Sequence, residues 1–439
     1  MPLTSDTVYS FDQAKGVMAE YIRSLAPSLA FTRIEIKIKP IDQIGWLSAQ
    51  DASVKIFGAN QDDSAAIAGI GEALNCAGKG KVNYKKIFKQ LRSHLTPRYP
   101  YLQWYGGFSF DASKTAAGWG RFGSWRFVLP RFELARDKNK MIFCCNFAGR
   151  VDKSRIIKEL SALNGSSTKG RLNMEVSRRK DCPQAADWAN EVNEVLRSIS
   201  RGKCRKVVLA RKTDLFLKEM PDPWAMLKTL KKVTSGSYHF AFGFGPSVFL
   251  GASPERLYKR QGRTILSEAL AGTKPANTTA KVLLQSVKDK HEHQLVVEAI
   301  AYGLKHLCGD FTLDSKPGIK TLSNGHHLNT KFQGQLKEGV RDEDILELLH
   351  PTPALGGVPR DFALQYIRRK EPFARGWYAG PLGYVGFDWA EFVVGIRSGL
   401  INGKCLSVFA GAGIVAGSGS DDEWNEIENK ISNFIKIIK

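Results

Sequence analysis

Runs that alternate apolar and polar residues recur in both halves of this chain, and most are rich in aromatic or β-branched side chains. RIEIKIKPI (33–41), WLSAQ (46–50), VKIFGA (54–59), QWYGGFSFDA (103–112), WRFVLPRFELAR (125–136) and MIFCCNF (141–147) come first. KVVLARKTDLFL (206–217), YHFAFGF (238–244), SVFLGAS (247–253), FVVGIRSGLI (392–401) and LSVFAGAGIV (406–415) follow. A period of two with these residue types marks strands of antiparallel sheet. Between the two groups lies LNGSSTKGRLNMEVSRRKD (163–181), the most linker-like segment. Helical stretches follow it: ADWANEVNEVLRSISRG (186–202), VLLQSVKDKHEHQLVVEAIAYGLKHL (282–307) and DEDILELLH (342–350). Long helices among hairpin-like strands predict an α+β fold with antiparallel sheets flanked by helices. Strand runs on both sides of the linker predict one intertwined domain over 1–439.

At 439 residues and 43% hydrophobic, the chain can bury a large core. Its apolar runs are broken by Gly, Lys or Asp well short of the roughly 20 residues that cross a bilayer. The start, MPLTSDTVYSFDQAKG, has no basic stretch followed by an apolar one, so no secretory leader is expected. Cys76, Cys144, Cys145, Cys182, Cys204, Cys308 and Cys405 are scattered without a CxxC pair, which argues against a disulfide framework or a structural zinc. These features predict a cytoplasmic chain with no membrane attachment. The net charge of +21 raises the question of a nucleic-acid partner. The positives are dispersed, however: YKK (84–86) and RRK (178–180 and 368–370) are short, and no RGG run or basic helix stripe joins them. A basic enzyme that attracts anionic small molecules is expected, with no nucleic-acid partner. There is no GxxxxGK[ST] and no GxSxG, and GAGIVAG lacks the helix and acid of a dinucleotide site.

Several polar residues stand where apolar ones are expected. On a helix over 288–304, at about 100° per residue, Glu292 shares a stripe with Leu295, Val296, Ala299 and Gly303. A carboxylate there needs a cation, a metal or a proton; a core arginine would serve as well. On a closing helix, Trp424, Ile427, Ile431, Phe434 and Ile438 share one face. Glu423, Glu426 and Lys430 run along its edge at i, i+3 and i+7, while Glu428 points elsewhere and is expected at the surface. If Glu292 and Glu426 meet, two hard carboxylates suit Mg²⁺. Spacing alone does not decide whether they meet. Lys206 alternates onto one strand face with Val208 and Ala210. It is either a desolvated amine whose pKa falls toward that of a general base, or a strand-end lysine that snorkels to water. Glu255, in GASPERL, is either an acid or a turn residue.

The order of motifs is more specific than any one of them. KVVLAR (206–211), GASPERL (251–257), LAGT (270–273), KDKHEHQLVV (288–297) and LHPTPALGGVPR (349–360) resemble signature blocks of the chorismate-utilising enzymes. RGWYAGPLGYV (375–385), IRSGLI (396–401), FAGAGIVAGS (409–418) and EWNEIENK (423–430) continue the series, and QWYGGFSFD (103–111) resembles the family's N-terminal strand motif. Residues 182–439 form the motif-bearing core, and 1–180 are less similar. Among the branches, the chain is most similar to the isochorismate synthases. That resemblance implies one chorismate-binding domain with large antiparallel sheets. It implies Mg²⁺-dependent isomerisation of chorismate, by water addition at C2 and loss of the C4 hydroxyl, for menaquinone or siderophore biosynthesis. By motif match, Lys206 resembles the general base and Glu255 the general acid. Glu292 and Glu426 resemble the Mg²⁺ ligands, with Glu423 beside them. Tyr378, Arg397 and Lys430 resemble the residues that hold the enolpyruvyl carboxylate. Gly272, Thr273 and Gly411 resemble pocket positions, and His327 a pocket histidine.

Lys206 separates this pattern from the anthranilate and aminodeoxychorismate synthases, which use ammonia, so no glutaminase subunit is expected. Ala354 stands where salicylate synthases carry Thr, which points to the branch that stops at isochorismate. A monomer or weak homodimer is expected. Two departures stand out: SGSDDEW where the family often has DP before EW, and His291 before Glu292, expected at the surface.

Overall fold

The structure is a computed structural model that describes residues 7–26, 28–114, 117–166, 174–275, 278–323 and 325–438. Its strands form a twelve-stranded and a ten-stranded sheet. Every pair of named strands is antiparallel. The larger sheet mixes both halves of the chain: Ser28–Ile38, Val54–Ala59 and Lys140–Arg150 share it with Lys206–Leu217, Tyr238–Phe244, Ser247–Ser253 and Cys405–Ile414. The smaller sheet joins Gln103–Phe108 and Trp125–Leu129 to Arg256–Gln261, Thr264–Lys274, Gly325–Leu336 and Trp389–Val394. This is the α+β, antiparallel architecture that the strand runs predict, with neither half completing a sheet alone.

Five local expectations are overturned. WLSAQ is not a strand but part of the helix Gln43–Ala49. Asp42 caps it by accepting from the N–H groups of Ile44 and Gly45, each at 3.1 Å, and the adjacent Trp46 and Leu47 are both fully buried. The first half also holds the helices Phe11–Ser24, Tyr84–Arg92 and Lys153–Ser161, each with a side-chain N-cap, where only strands and turns are read from the sequence. Of the linker-like stretch, 167–173 lie outside the described residues, and Val176–Cys182 is a strand paired with Lys206–Leu217. Most of its side chains are exposed, so its composition is that of a loop. The helix over 282–307 breaks at Ser286, which ends Ala280–Gln285 and caps Val287–Leu307 by accepting from the Asp289 N–H at 3.2 Å. FVVGIRSGLI is split between Trp389–Val394 in the smaller sheet and Ser398–Asn402 in the larger.

The two sheets touch through side chains: Tyr238 Oη donates to Glu391 Oε1 at 2.7 Å, and Tyr105 Oη to Glu133 Oε1 at 3.1 Å. The chain crosses from the larger sheet to the smaller at 254–255, touches the larger again at Gly357–Val358, and returns to it at 395–397. These crossings lie side by side, because the Val394 N–H donates to the Glu255 carbonyl (3.1 Å) and the Ala252 N–H to the Arg397 carbonyl (3.0 Å). All seven cysteines are free thiols. Among the described residues, no helix is long and apolar enough to cross a membrane.

Candidate active site

The strand Lys206–Leu217 carries the first element. Lys206, Val208 and Ala210 share a face and are buried, with Lys206 at 0% exposure, so it does not snorkel to water. Its Nζ donates to Glu292 Oε1 at 2.9 Å. Val208 pairs in register with Gly413 on Cys405–Ile414. A Cβ at Gly413 would lie 2.4 Å from Glu292 Oε1 and 2.7 Å from Lys206 Cε. The Lys206–Glu292 pair therefore requires glycine there. Sequence reasoning passed over Gly413, although the alternation in GAGIVAG places it on the same face as Gly411.

Glu292 comes from the helix Val287–Leu307, between buried Leu295 and Val296, and its side chain is 15% exposed. The compensating cation that its position demands is a lysine rather than an arginine. The helix Ser420–Ile438 buries Ile427, Ile431, Phe434 and Ile438, as its spacing predicts, and Glu423 with them. Glu426 Oε1 lies 2.6 Å from Lys430 Nζ, and Glu423 Oε1 lies 2.5 Å from Lys288 Nζ. Burial and then the charge of Glu426 raise the Glu423 carboxyl, whereas Lys430 overcomes the effect of burial and lowers that of Glu426. Burial opposes charge on Lys288, but Glu423, followed by Glu426 and Glu292, raises its pKa.

Glu428 lies at the surface, its side chain 33% exposed, but it is paired there: its Oε1 accepts from Arg211 Nη2 and Arg179 Nη2, both at 2.5 Å. Arg211 is completely buried and lies 3.9 Å over the Trp424 ring. The closing helix is thereby fastened to the strand that carries Lys206. His291 is exposed, as expected.

Both crossings contribute side chains. Glu255 is 4% exposed, and its carboxyl is pushed up to about 8, first by burial and then by the charge of Glu268. Arg397 holds φ +51, a left-handed conformation that costs a non-glycine residue about 1–3 kcal/mol. Burial lowers its pKa to about 10, and its Nη1 makes a long contact of 3.5 Å with the Lys430 carbonyl. Ala379, beside Tyr378, has φ +60. Such strain persists where the surrounding structure fixes a functional geometry.

In the smaller sheet, the ladder between Thr264–Lys274 and Gly325–Leu336 bulges at Gly272, whose φ is +71. The bulge brings Thr273 Oγ1 within 3.1 Å, and the Gly272 carbonyl within 3.2 Å, of His327 Nδ1. Burial, followed by Arg397 and Lys430, keeps His327 neutral. A carbonyl only accepts, so the tautomer is assigned with the proton on Nδ1. Nε2 is buried and has no hydrogen-bond partner among the described residues.

Glu255, Gly272, Thr273 and His327 line one cavity with Ala354, Tyr378 and Arg397. Glu292, Gly411, Glu426 and Lys430 complete it. Lys206 and Glu423 are the exceptions among the residues given site roles from the sequence: neither lines the cavity, Lys206 being paired to Glu292 and Glu423 to Lys288. Sequence reasoning missed Glu371 and Arg375. Arg375 lines the cavity, donates to Glu371 Oε2 (2.8 Å) and ties down the Leu355 and Val208 carbonyls at 2.8 and 2.9 Å. The signal was a charged i, i+4 pair inside an apolar motif, EPFAR (371–375).

The model of the family described as chorismate binding enzyme matches residues 22–439. The chain belongs to the chorismate binding enzymes. It is 30% identical to isochorismate synthase MenF of Haemophilus influenzae, over 99% of this chain and 97% of that one. It is 33% identical to the chloroplastic isochorismate synthase 2 of Arabidopsis thaliana, over 87% of this chain and 72% of that one. Its fold is similar to that of MenF, the menaquinone-specific isochorismate synthase of Escherichia coli, with a TM-score of 0.87 and 28% identity over 98% and 99% of the two chains.

Among the described residues of this chorismate binding enzyme, no three His, Cys, Asp or Glu side chains form a cage for a metal ion. The cavity offers two carboxylates, Glu292 and Glu426, with Glu423 one helical turn from Glu426. That donor set fits Mg²⁺, which keeps several waters and takes one or two carboxylates together with substrate oxygens. Each of the three acids already draws an ammonium group, as buried carboxylates must.

Proposed function

We propose that this chorismate binding enzyme is a Mg²⁺-dependent isochorismate synthase. Lys206 acts as the general base and takes a proton from water as the water oxygen bonds to C2 of chorismate. The ring double bonds shift, the C4–O bond breaks, and Glu255 gives its proton to the departing hydroxyl, which leaves as water. Composition is unchanged and no electrons are gained or lost, so no redox cofactor is needed. Glu292 and Glu426 would hold the metal, which when bound would neutralise the ring carboxylate of chorismate. Arg397, Tyr378 and Lys430 hold the enolpyruvyl carboxylate. His327 accepts a substrate hydroxyl at Nε2, and Gly272, Thr273, Gly411 and Ala354 shape the wall.

The observation that carries this reading is Glu255, a buried carboxyl pushed up to about 8 that lines the same cavity as Glu292, Glu426, Arg397 and Lys430. An acid poised near the working pH is what protonation of a poor leaving group needs. The purified protein, given chorismate and Mg²⁺ without ammonia, is expected to yield isochorismate on a product chromatogram. Salicylate with pyruvate as the main product, or anthranilate when ammonium is added, would place it in a neighbouring branch.

The pH dependence follows from the same group. Glu255 must be protonated to act, and its carboxyl titrates near 8 rather than at the ordinary value of 4.5. Glu255 therefore sets the alkaline limb: activity is lost as pH rises through that value. On the alkaline side kcat/KM should fall about tenfold per pH unit, and a pH profile at saturating Mg²⁺ checks this.

A further inference from the structure

The turn that presents Glu255 is held from both ends. The Pro254 carbonyl, one residue before it, accepts from Lys320 Nζ at 2.6 Å and from Gln61 Nε2 at 3.1 Å. The Arg256 N–H, one residue after it, donates to Glu268 Oε1 at 2.9 Å. Glu268 and Lys320 are paired with each other, Nζ lying 3.2 Å from Oε1 and 3.4 Å from Oε2. Glu268 is 6% exposed, and neither residue lines the cavity. A buried ion pair is no general source of stability, so its place around one turn calls for another explanation.

Glu292, Glu426, Arg375 and Arg397 line the same cavity as Glu255, but the charged groups with the largest influence on it come from four elements. Glu268 lies on Thr264–Lys274, Lys320 on Gly318–Leu322, Lys206 on Lys206–Leu217 and Lys430 on the closing helix. Lys206 and Lys430 have their own carboxylates in Glu292 and Glu426. Glu268 is the one negative group among the four, and after burial it is the largest influence keeping the proton on Glu255, with the three lysines opposing it.

We infer that Glu268, paired with Lys320, is a positioning residue for the proton donor: it fixes the backbone on both sides of Glu255 and sets the field in which that carboxyl holds its proton. The inference rests on Glu255 being the acid, as proposed above. Two variants with opposite charge effects test it. Glu268→Gln keeps an acceptor for the Arg256 N–H but removes the negative charge and leaves Lys320 unbalanced. The alkaline limb of the kcat/KM profile should move down by about one pH unit. Lys320→Met removes a positive charge, and the limb should move up. A merely structural role would lower the plateau in both variants and leave the limb in place.

Limbs that stay put in both variants, or that move in the same direction, overturn the inference. If Glu268→Gln fails to fold, Lys320→Met still decides, because its limb must rise. Glu255→Gln separates the two levels. Full turnover in that variant sinks the role of Glu255 itself. Lost turnover there, with unmoved limbs in the other two, sinks only the role of Glu268.

Discussion

Replacing Lys206 with alanine is expected to remove isochorismate formation almost completely, with kcat/KM falling by about 10³-fold. The water that attacks C2 would have no base, and no other amine can replace one that is held at 0% exposure against Glu292. Lys430 is tied to Glu426 at 2.6 Å and to the Gly411 carbonyl at 2.8 Å, and Lys288 to Glu423 at 2.5 Å. The variant should keep its fold, since the truncation frees a carboxylate that lies at a cavity rather than in the core. Circular dichroism and product chromatography together make the measurement. A folded Lys206→Ala protein that turns over within about tenfold of the parent would remove the lysine from the mechanism.

Glu292→Gln should be nearly as damaging, but for a different reason. The amide can still accept a hydrogen bond from Lys206, so the local geometry is largely kept. What is lost is a negative oxygen for the metal. The Mg²⁺ concentration needed for half-maximal activity should rise by at least about 100-fold, and calorimetry should show the same loss in direct Mg²⁺ binding. If Glu292 served only as the counter-ion of Lys206, the melting temperature would fall while Mg²⁺ binding stayed as it was. The two outcomes are distinct, and the second would leave the proposed metal site without one of its two carboxylates.

Much of this was legible in the sequence where burial repeats locally. Lys206–Leu217, Tyr238–Phe244 and Ser247–Ser253 follow the apolar, β-branched and aromatic runs end to end, because their strands lie in the interior of a sheet and almost every residue along them is buried. Val176–Cys182 was not legible, for an exposed edge strand of SRRKD has no apolar side to reveal it. Gln43–Ala49 was too short to set up a helical period, and its Asp42 cap was the only marker. In the site, the polar residues in apolar stripes gave away Glu292 and Lys206, but not that they choose each other. That choice is made by the register that sets Gly413 opposite Val208. For the same reason the pairing of Glu428 was not legible: its partner Arg211 is far away in sequence and on another element.

The one-to-one matching of Glu292, Glu426 and Glu423 with Lys206, Lys430 and Lys288 has a further consequence. Before anything binds, these three pairs together carry no net charge. A divalent cation entering alone would leave an uncancelled double charge in a poorly screened space, and a dicarboxylate substrate entering alone would leave the opposite one. Entering together they cancel. Each ligand should therefore tighten the grip on the other, and synergy of this kind is thermodynamically mutual.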